Sequence, residues 1–377
     1  MIRESSRGKG LEGGRIHCRR PRNMNEDTQK RTLASDVEYQ DHILQGVSRT
    51  FALTIPQLPA DLTRVVGNAY LLCRIADTIE DDPSLGADQK RRYSELFIQV
   101  IGGDVPAQRF ADELYPLLSE NMLEAERDLI FHTPRVLRIT HEFSQRQRAA
   151  LGRCIRIMSR GMADFQQSKS LDGLADMPHM DRYCYYVAGV VGEMLTELFC
   201  DYSQEIDARR TELQKLAVSF GQGLQMTNIL KDIWEDRARG ACWLPRDIFQ
   251  RVGFDLSRLD EDYEREKFSL GLRQLIGIAR LHLHNALSYT LLIPAHEVGI
   301  RRFCLWALGM AVLTLRKLHA NPHFTSGRQV KISRRSVKSV VLVSNLSVSN
   351  NTVLKLLFDG FTRSLPVAEN PPKAILV

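Results

Sequence analysis

No Cys-x-x-Cys spacing occurs among the seven cysteines of this 377-residue chain, at 18, 73, 154, 184, 200, 242 and 304. A zinc site or dithiol centre is therefore not expected, and the thiols read as reduced and mostly buried in a cytosolic protein. No apolar run reaches the roughly 18–20 residues needed to cross a bilayer. The longest, Phe303–Leu315, has 13. Alternating β-branched segments are scarce, and no short repeat runs through the chain. Charge of one sign is also lacking over most of the length. The formal net charge is +6, but residues 1–22 alone hold six Arg and one Lys against two Glu. The remainder is nearly neutral, which argues against a nucleic-acid-binding face. The leader has no apolar h-region, so it is not a secretory signal. Residues 1–36 read as a disordered basic leader, with an organellar targeting peptide as the other reading.

What is present is helical periodicity. Apolar residues recur at i, i+3, i+4 and i+7 through Val65–Ala76, Leu151–Phe165, Tyr183–Leu198, Leu213–Ile233, Leu270–Leu291 and Phe303–Leu318. Pro56, Pro59, Gly102-Gly103, Pro134, Pro245 and Pro322 punctuate the joins. The expected fold is all-α, one helical domain over 37–360 around a deep apolar cavity. Residues 361–377 are expected as a flexible tail, with fraying from about Ser339 onward. Asn345-Leu-Ser and Asn350-Asn-Thr match a glycosylation sequon by chance.

Two acid clusters lie on these helices, about 150 residues apart. The first is Asp77-Thr-Ile-Glu80-Asp81-Asp82, with Asp77 and Asp81 at i,i+4. The second holds Asn228, Asp232 and Asp236 at i,i+4,i+8, with Gln225 on the same face. Such residues stack along one face of a helix, where like charges repel and Asp is a poor helix former. Folding asks for neither array. Oxygen donors in rows suit hard divalent cations, and Mg²⁺ takes one or two carboxylates per ion plus substrate phosphates. The bland alternative for each is a solvated face, and Asp82-Pro83 does look like a helix end.

Stepping back from Asp77 gives Arg74 and Tyr70, a cation and a phenol suited to diphosphate oxygens. Upstream, Ser48-Arg49-Thr50-Phe51 is either a phosphate contact beside an apolar pocket or, for Ser48, a helix cap. Between the arrays, Tyr183-Cys-Tyr-Tyr-Val-Ala-Gly189-Val-Val-Gly192 places two glycines three apart in an apolar helix. They allow either close helix packing or room for a long apolar substrate. Arg328 to Lys338 is a basic cluster, read as a solvated loop or as a site for a phosphate-rich cofactor.

Together, in this order, these segments resemble the squalene/phytoene synthase family of head-to-head prenyl synthases. The resemblance runs over roughly 42–340 and also takes in Ser159–Phe165 and Trp243-Leu-Pro245. Arg302-Phe-Cys304 and Gln329-Val-Lys-Ile332 look more like the squalene-forming branch than the carotenoid branch, and the lack of the C-terminal membrane helix of eukaryotic members resembles the bacterial type. The resemblance implies an isoprenoid synthase fold and Mg²⁺ held by Asp77, Asp81, Asn228, Asp232 and Asp236. It implies two farnesyl diphosphates contacted by Ser48, Arg49, Phe51, Arg74, Gln225 and Lys231. Catalytic roles would fall to Tyr183, Tyr70, Arg74 and Phe51. NADPH would be bound near Lys331 and Arg334, with Ser48 and Arg49. Presqualene diphosphate would form first and be reduced to squalene. A sibling that stops without reduction, or a non-catalytic scaffold member, is the alternative. Two positions depart from the family pattern. Lys231 replaces a common Arg, and Ala241 stands where squalene-forming members often carry Arg, leaving Arg237 or Arg239 to substitute. No transmembrane helix is expected, so the implied enzyme is cytoplasmic, with possible peripheral membrane contact for product release.

Overall fold

A computed structural model describes residues 24–48, 50–167, 169–259 and 263–368. Among the described residues there is no β-strand; a single bridge pairs Leu174 with Pro245. The principal helices are α1 (Met24–Val47), α2 (Ala60–Asp81), α3 (Ala87–Gly102), α4 (Thr133–His141) and α5 (Gln145–Gln167). They continue as α6 (Met177–Cys184), α7 (Val190–Tyr202), α8 (Arg210–Lys231), α9 (Ile233–Ala238) and α10 (Arg265–Leu292). The last three are α11 (Val298–Ala320), α12 (Arg334–Ser347) and α13 (Asn351–Thr362). Each periodic segment of the sequence falls on these helices, with two interruptions. Tyr185–Gly189 is a π-helical turn between α6 and α7, and the chain bends at Asp232 between α8 and α9.

Two apolar cores form. One gathers α1 to α5 and α7; the other gathers α6, α8, α10, α11 and the C-terminal hairpin. Half-buried Val187 and Phe220 pack against both. The seam between the cores is thus lined by apolar side chains that are not fully covered. The glycine pair earns its place through packing. A Cβ on Gly192 would sit 2.2 Å from the Ala217 carbonyl oxygen, and one on Gly221 would sit 2.1 Å from that of Ala188. Only bare backbone lets α7 and the π turn approach α8 so closely.

The helical body begins earlier than the sequence suggested. Residues 24–36, expected in the leader, belong to α1, because Asp36 is buried against Arg135 Nε (2.9 Å) and Arg138 Nε (2.7 Å). Those partners lie about 100 residues away, out of reach of local patterning. The C-terminus differs too. Ser339 onward was expected to fray, yet α12 and α13 pack there as a hairpin on α11. Beneath the hairpin turn, Arg301 is completely buried and donates to the Val348 carbonyl (2.8 Å) and to Asn351. Helix α11 is long and apolar enough to cross a membrane by composition alone, but 67% of its apolar window is buried in this core. The six described cysteines are buried and unbonded to one another.

Replacing Arg301 with Met should cost about 2–4 kcal/mol, because it strands buried carbonyl and amide acceptors. Urea denaturation at neutral pH measures this; a loss within error would show the clamp to be dispensable.

Candidate functional site

The first acid helix is fixed by its own buried polar residue. Asn68 on α2 donates to Gln40 of α1 (3.1 Å) and to the Val136 carbonyl (3.0 Å), and accepts from Thr140 (2.7 Å). At the far end of α2, Asp82 is buried and extended, as a residue before proline should be. Its carboxylate accepts from the backbone of Ser84 (2.7 Å) and Ser119 (3.0 Å). The last acid of the run is therefore a loop anchor. Asp77, Glu80 and Asp81 are left along the rest of the last turns. Behind them, Arg74 donates to the Tyr70 hydroxyl (2.9 Å), which donates to the Val47 carbonyl (3.0 Å). Arg74 also lies 3.6 Å from Glu126. The Phe51 ring sits 5.2 Å from Tyr70. Ser48 takes the capping role, accepting from the Phe51 amide at 2.9 Å. Arg49 lies outside the described residues.

The second wall is not one continuous helix, although its i→i+4 bonds persist. The Asp232 amide donates to Asn228 (2.9 Å) and the Asp236 amide to Asp232 (2.8 Å). Asn228 is exposed and Gln225 half-buried. Lys231 Nζ rests 2.5 Å from Asp232 Oδ2. Arg239 donates to Asp236 at 2.6 Å and also feels Asp81 and Asp232. Arg237, the other candidate substitute for the missing arginine, is spent on the Leu171 and Leu256 carbonyls. The structure therefore selects Arg239. Between the acids, Trp234 donates to the Phe324 carbonyl (2.7 Å) and Glu235 accepts from the Gly327 amide (2.9 Å). These two bonds stitch the second acid motif to the segment that leads into Lys331 and Arg334. Both of those side chains are exposed, and Ser333 caps α12 beside them.

Tyr183 reveals how the walls meet. It is buried, stacked on Trp243 with centroids 4.2 Å apart and planes at 8°, and 5.2 Å from Phe165. Burial pushes its phenol well up, and Glu80, Asp81 and Asp236 add to the push. One phenol thus senses carboxylates from both arrays. The carboxyls are raised as well. Burial takes Asp77 to about 6, with Asp81 and Glu126 adding and Arg74 opposing. Glu80 is pushed to about 8 by burial and then Asp81, against the Gln166 amide that donates to it at 2.9 Å. Asp236 rises to about 6, chiefly by burial, with Asp232 and Asp81 contributing. Glu80 was given no role from spacing, and Arg239 stood only as one of two alternatives with Arg237. Glu80 at i+3 from Asp77 was readable there; Arg239 needed the fold.

Among the described residues, no three His, Cys, Asp or Glu side chains converge tightly enough to hold an ion by themselves. The oxygens that the two walls do offer are of the kind Mg²⁺ takes alongside water and substrate phosphate. The donors are hard oxygens, and Arg239 already lies among carboxylates of both walls, so cationic compensation is what the site lacks.

A carboxyl that holds its proton more tightly folded than unfolded gives stability that is full below about pH 4. It is lost as pH rises through about 6 for Asp77 and Asp236 and about 8 for Glu80. Glu80→Gln should therefore raise Tm by about 2–5 °C at pH 8 without divalent cations, and by less at pH 5. Differential scanning fluorimetry checks this. A variant less stable at pH 8 would show that Glu80 serves packing.

The family model for squalene/phytoene synthase matches residues 44–336. A squalene synthase of Cochliobolus lunatus (clz20) is 27% identical over 311 residues, covering 82% of this chain and 72% of that protein. A ligand complex of TcSQS superposes with a TM-score of 0.72 at 24% identity, over 91% of this chain and 96% of the other. A dehydrosqualene synthase superposes at 0.61 and 20% identity, over 87% and 99%. At that identity the superpositions speak for the fold, the helical isoprenoid synthase bundle. With the family model covering most of its length, the chain belongs to the squalene/phytoene synthase family.

Proposed function

We propose that the chain is a squalene synthase that joins two farnesyl diphosphates head to head through presqualene diphosphate and reduces that intermediate with NADPH. The observation that carries the reading is the convergence of both acid arrays on Tyr183, with the basic segment bonded to the second array through Trp234 and Glu235. Asp77, Asp81, Asn228, Asp232 and Asp236 would hold Mg²⁺, and Lys331 and Arg334 would hold NADPH phosphates. When bound, Mg²⁺ draws off diphosphate charge and NADPH supplies the reducing equivalent.

The chain's own residues account for the rest. Arg74, Lys231 and Arg239 are cations placed along the acid walls, where departing diphosphate oxygens gather charge. Phe51 and Tyr70 offer ring faces to an allylic cation beside them. The half-buried apolar seam excludes water, which would quench that cation. Closing the cyclopropane releases a proton. Tyr183 cannot accept it while burial and three carboxylates oppose the phenolate; it becomes a base only once those carboxylates are charge-compensated. Otherwise the departed diphosphate takes the proton. The reading places the enzyme in the cytoplasm, in peripheral contact with the bilayer that receives its hydrocarbon product.

Purified protein given farnesyl diphosphate and Mg²⁺ should make squalene only when NADPH is added. Dehydrosqualene or a C40 hydrocarbon appearing identically in both reactions would assign it to a sibling activity instead. Tyr183→Phe should lose about 100-fold or more in turnover with an unchanged melting point. Turnover close to wild type would remove the phenol from the chemistry.

A further inference from the structure

We propose that the α12–α13 hairpin is a monotopic docking surface for an anionic lipid bilayer. The inference gives a location and a lipid class to the peripheral contact proposed above, and it does not depend on the reaction. Three observations meet there. Leu342, Leu346 and Leu356 are 61%, 81% and 67% exposed, a concentration of bare leucine on two short helices. Beside them an apolar cleft of about 310 Å³ opens between α11 and the hairpin, lined by Leu313, Val340, Val343, Leu357 and Phe361 among others. Residues 328–363 carry seven Lys or Arg against one acid, Asp359, whereas residues 23–327 sum to −5.

Charge and apolarity share one face. The exposed stripe of α12 runs Arg335, Lys338, Leu342, Leu346, at steps of three, four and four residues. On α13, exposed Lys355 and Arg363 flank Leu356 and Phe361, and the Arg316 guanidinium lies over the Phe361 ring at 5.6 Å. An amphipathic surface with leucine at its centre and cations at its edge matches acyl chains under anionic headgroups. A second copy fits worse, because a two-fold contact would set cationic rims face to face. The Arg301 clamp beneath the turn presents the hairpin as a preformed surface.

The test is sedimentation of the full-length chain with vesicles of phosphatidylcholine, alone or mixed with phosphatidylglycerol, at low and high salt. Binding should favour the anionic vesicles by about tenfold or more and weaken with salt. The triple variant Leu342→Gln, Leu346→Gln, Leu356→Gln should lose about tenfold or more. Lys355→Gln with Arg363→Gln should lose about fivefold per charge removed. All five positions are exposed, so turnover in detergent should match wild type. An active enzyme that ignores vesicles, or binding untouched by the leucine changes, overturns the proposal. So does a wild-type dimer that the leucine variant dissociates without any vesicle binding, which would assign the face to a second copy. Vesicle binding by a chain that makes no squalene would uphold the surface and overturn the reaction instead.

Discussion

Everything in this molecule is arranged around carboxylates that repel one another. Glu80 and Asp81 from one helix and Asp236 from another bear on a single buried phenol, and burial raises the carboxyls of Asp77, Glu80 and Asp236 as well. A flexible scaffold would relax by separating the walls. This one resists, because glycine brings α7 and the π turn against α8 at backbone contact and a buried amide network ties α2 to α1 and α4. Lys231, Arg74 and Arg239 offset part of the charge from within the chain. What remains uncompensated is an affinity for cations and for the anions that bring them.

Within each acid motif the labour is divided residue by residue. In the first, Asp82 turns away to hold the loops at Ser84 and Ser119, so the run of four acids presents three. In the second, Trp234 and Glu235 face the Phe324–Gly327 segment while Asp232 and Asp236 face the site. The same stretch of chain therefore positions both carboxylates of the second array and the entry to the basic segment. A disturbance at one is transmitted to the other through two hydrogen bonds, without a longer pathway.

The helices and the acid arrays were legible in the sequence because their signal is local. Period 3.6 and i,i+4 spacing need no knowledge of partners, and Asp81 of the first array does bear on Asp236 of the second. Where meaning depended on a distant partner, the sequence was mute. Residues 24–36 looked like leader because Arg135 and Arg138, which bury Asp36, lie a hundred positions on. Arg237 and Arg239 were indistinguishable by spacing, and only carbonyls from Leu171 and Leu256 separate them. Gly189 and Gly192 allowed two readings, and only the fold sets Val218 and Ala217 of α8 against them. The C-terminal helices read as a fraying end because the stretch from Ser339 turns polar and Pro-rich, and their exposed leucines contradict the inside-out rule that periodicity relies on.

That contradiction bears on how the enzyme would work. The two departures in the proposed reaction differ in kind: diphosphate leaves where cations gather, and the hydrocarbon leaves where apolar surface is uncovered. The acid walls and the basic segment serve the first requirement and lie together. The basic segment runs straight into α12, so the leucine-bearing hairpin begins where that segment ends. A product without polar groups gains nothing from the walls once diphosphate has gone, and burial alone decides where it rests. Among the described residues, the half-buried seam and the apolar cleft at the hairpin are two places where such burial is incomplete. The arrays fix how the reaction begins; the distribution of uncovered apolar surface fixes where its product can go.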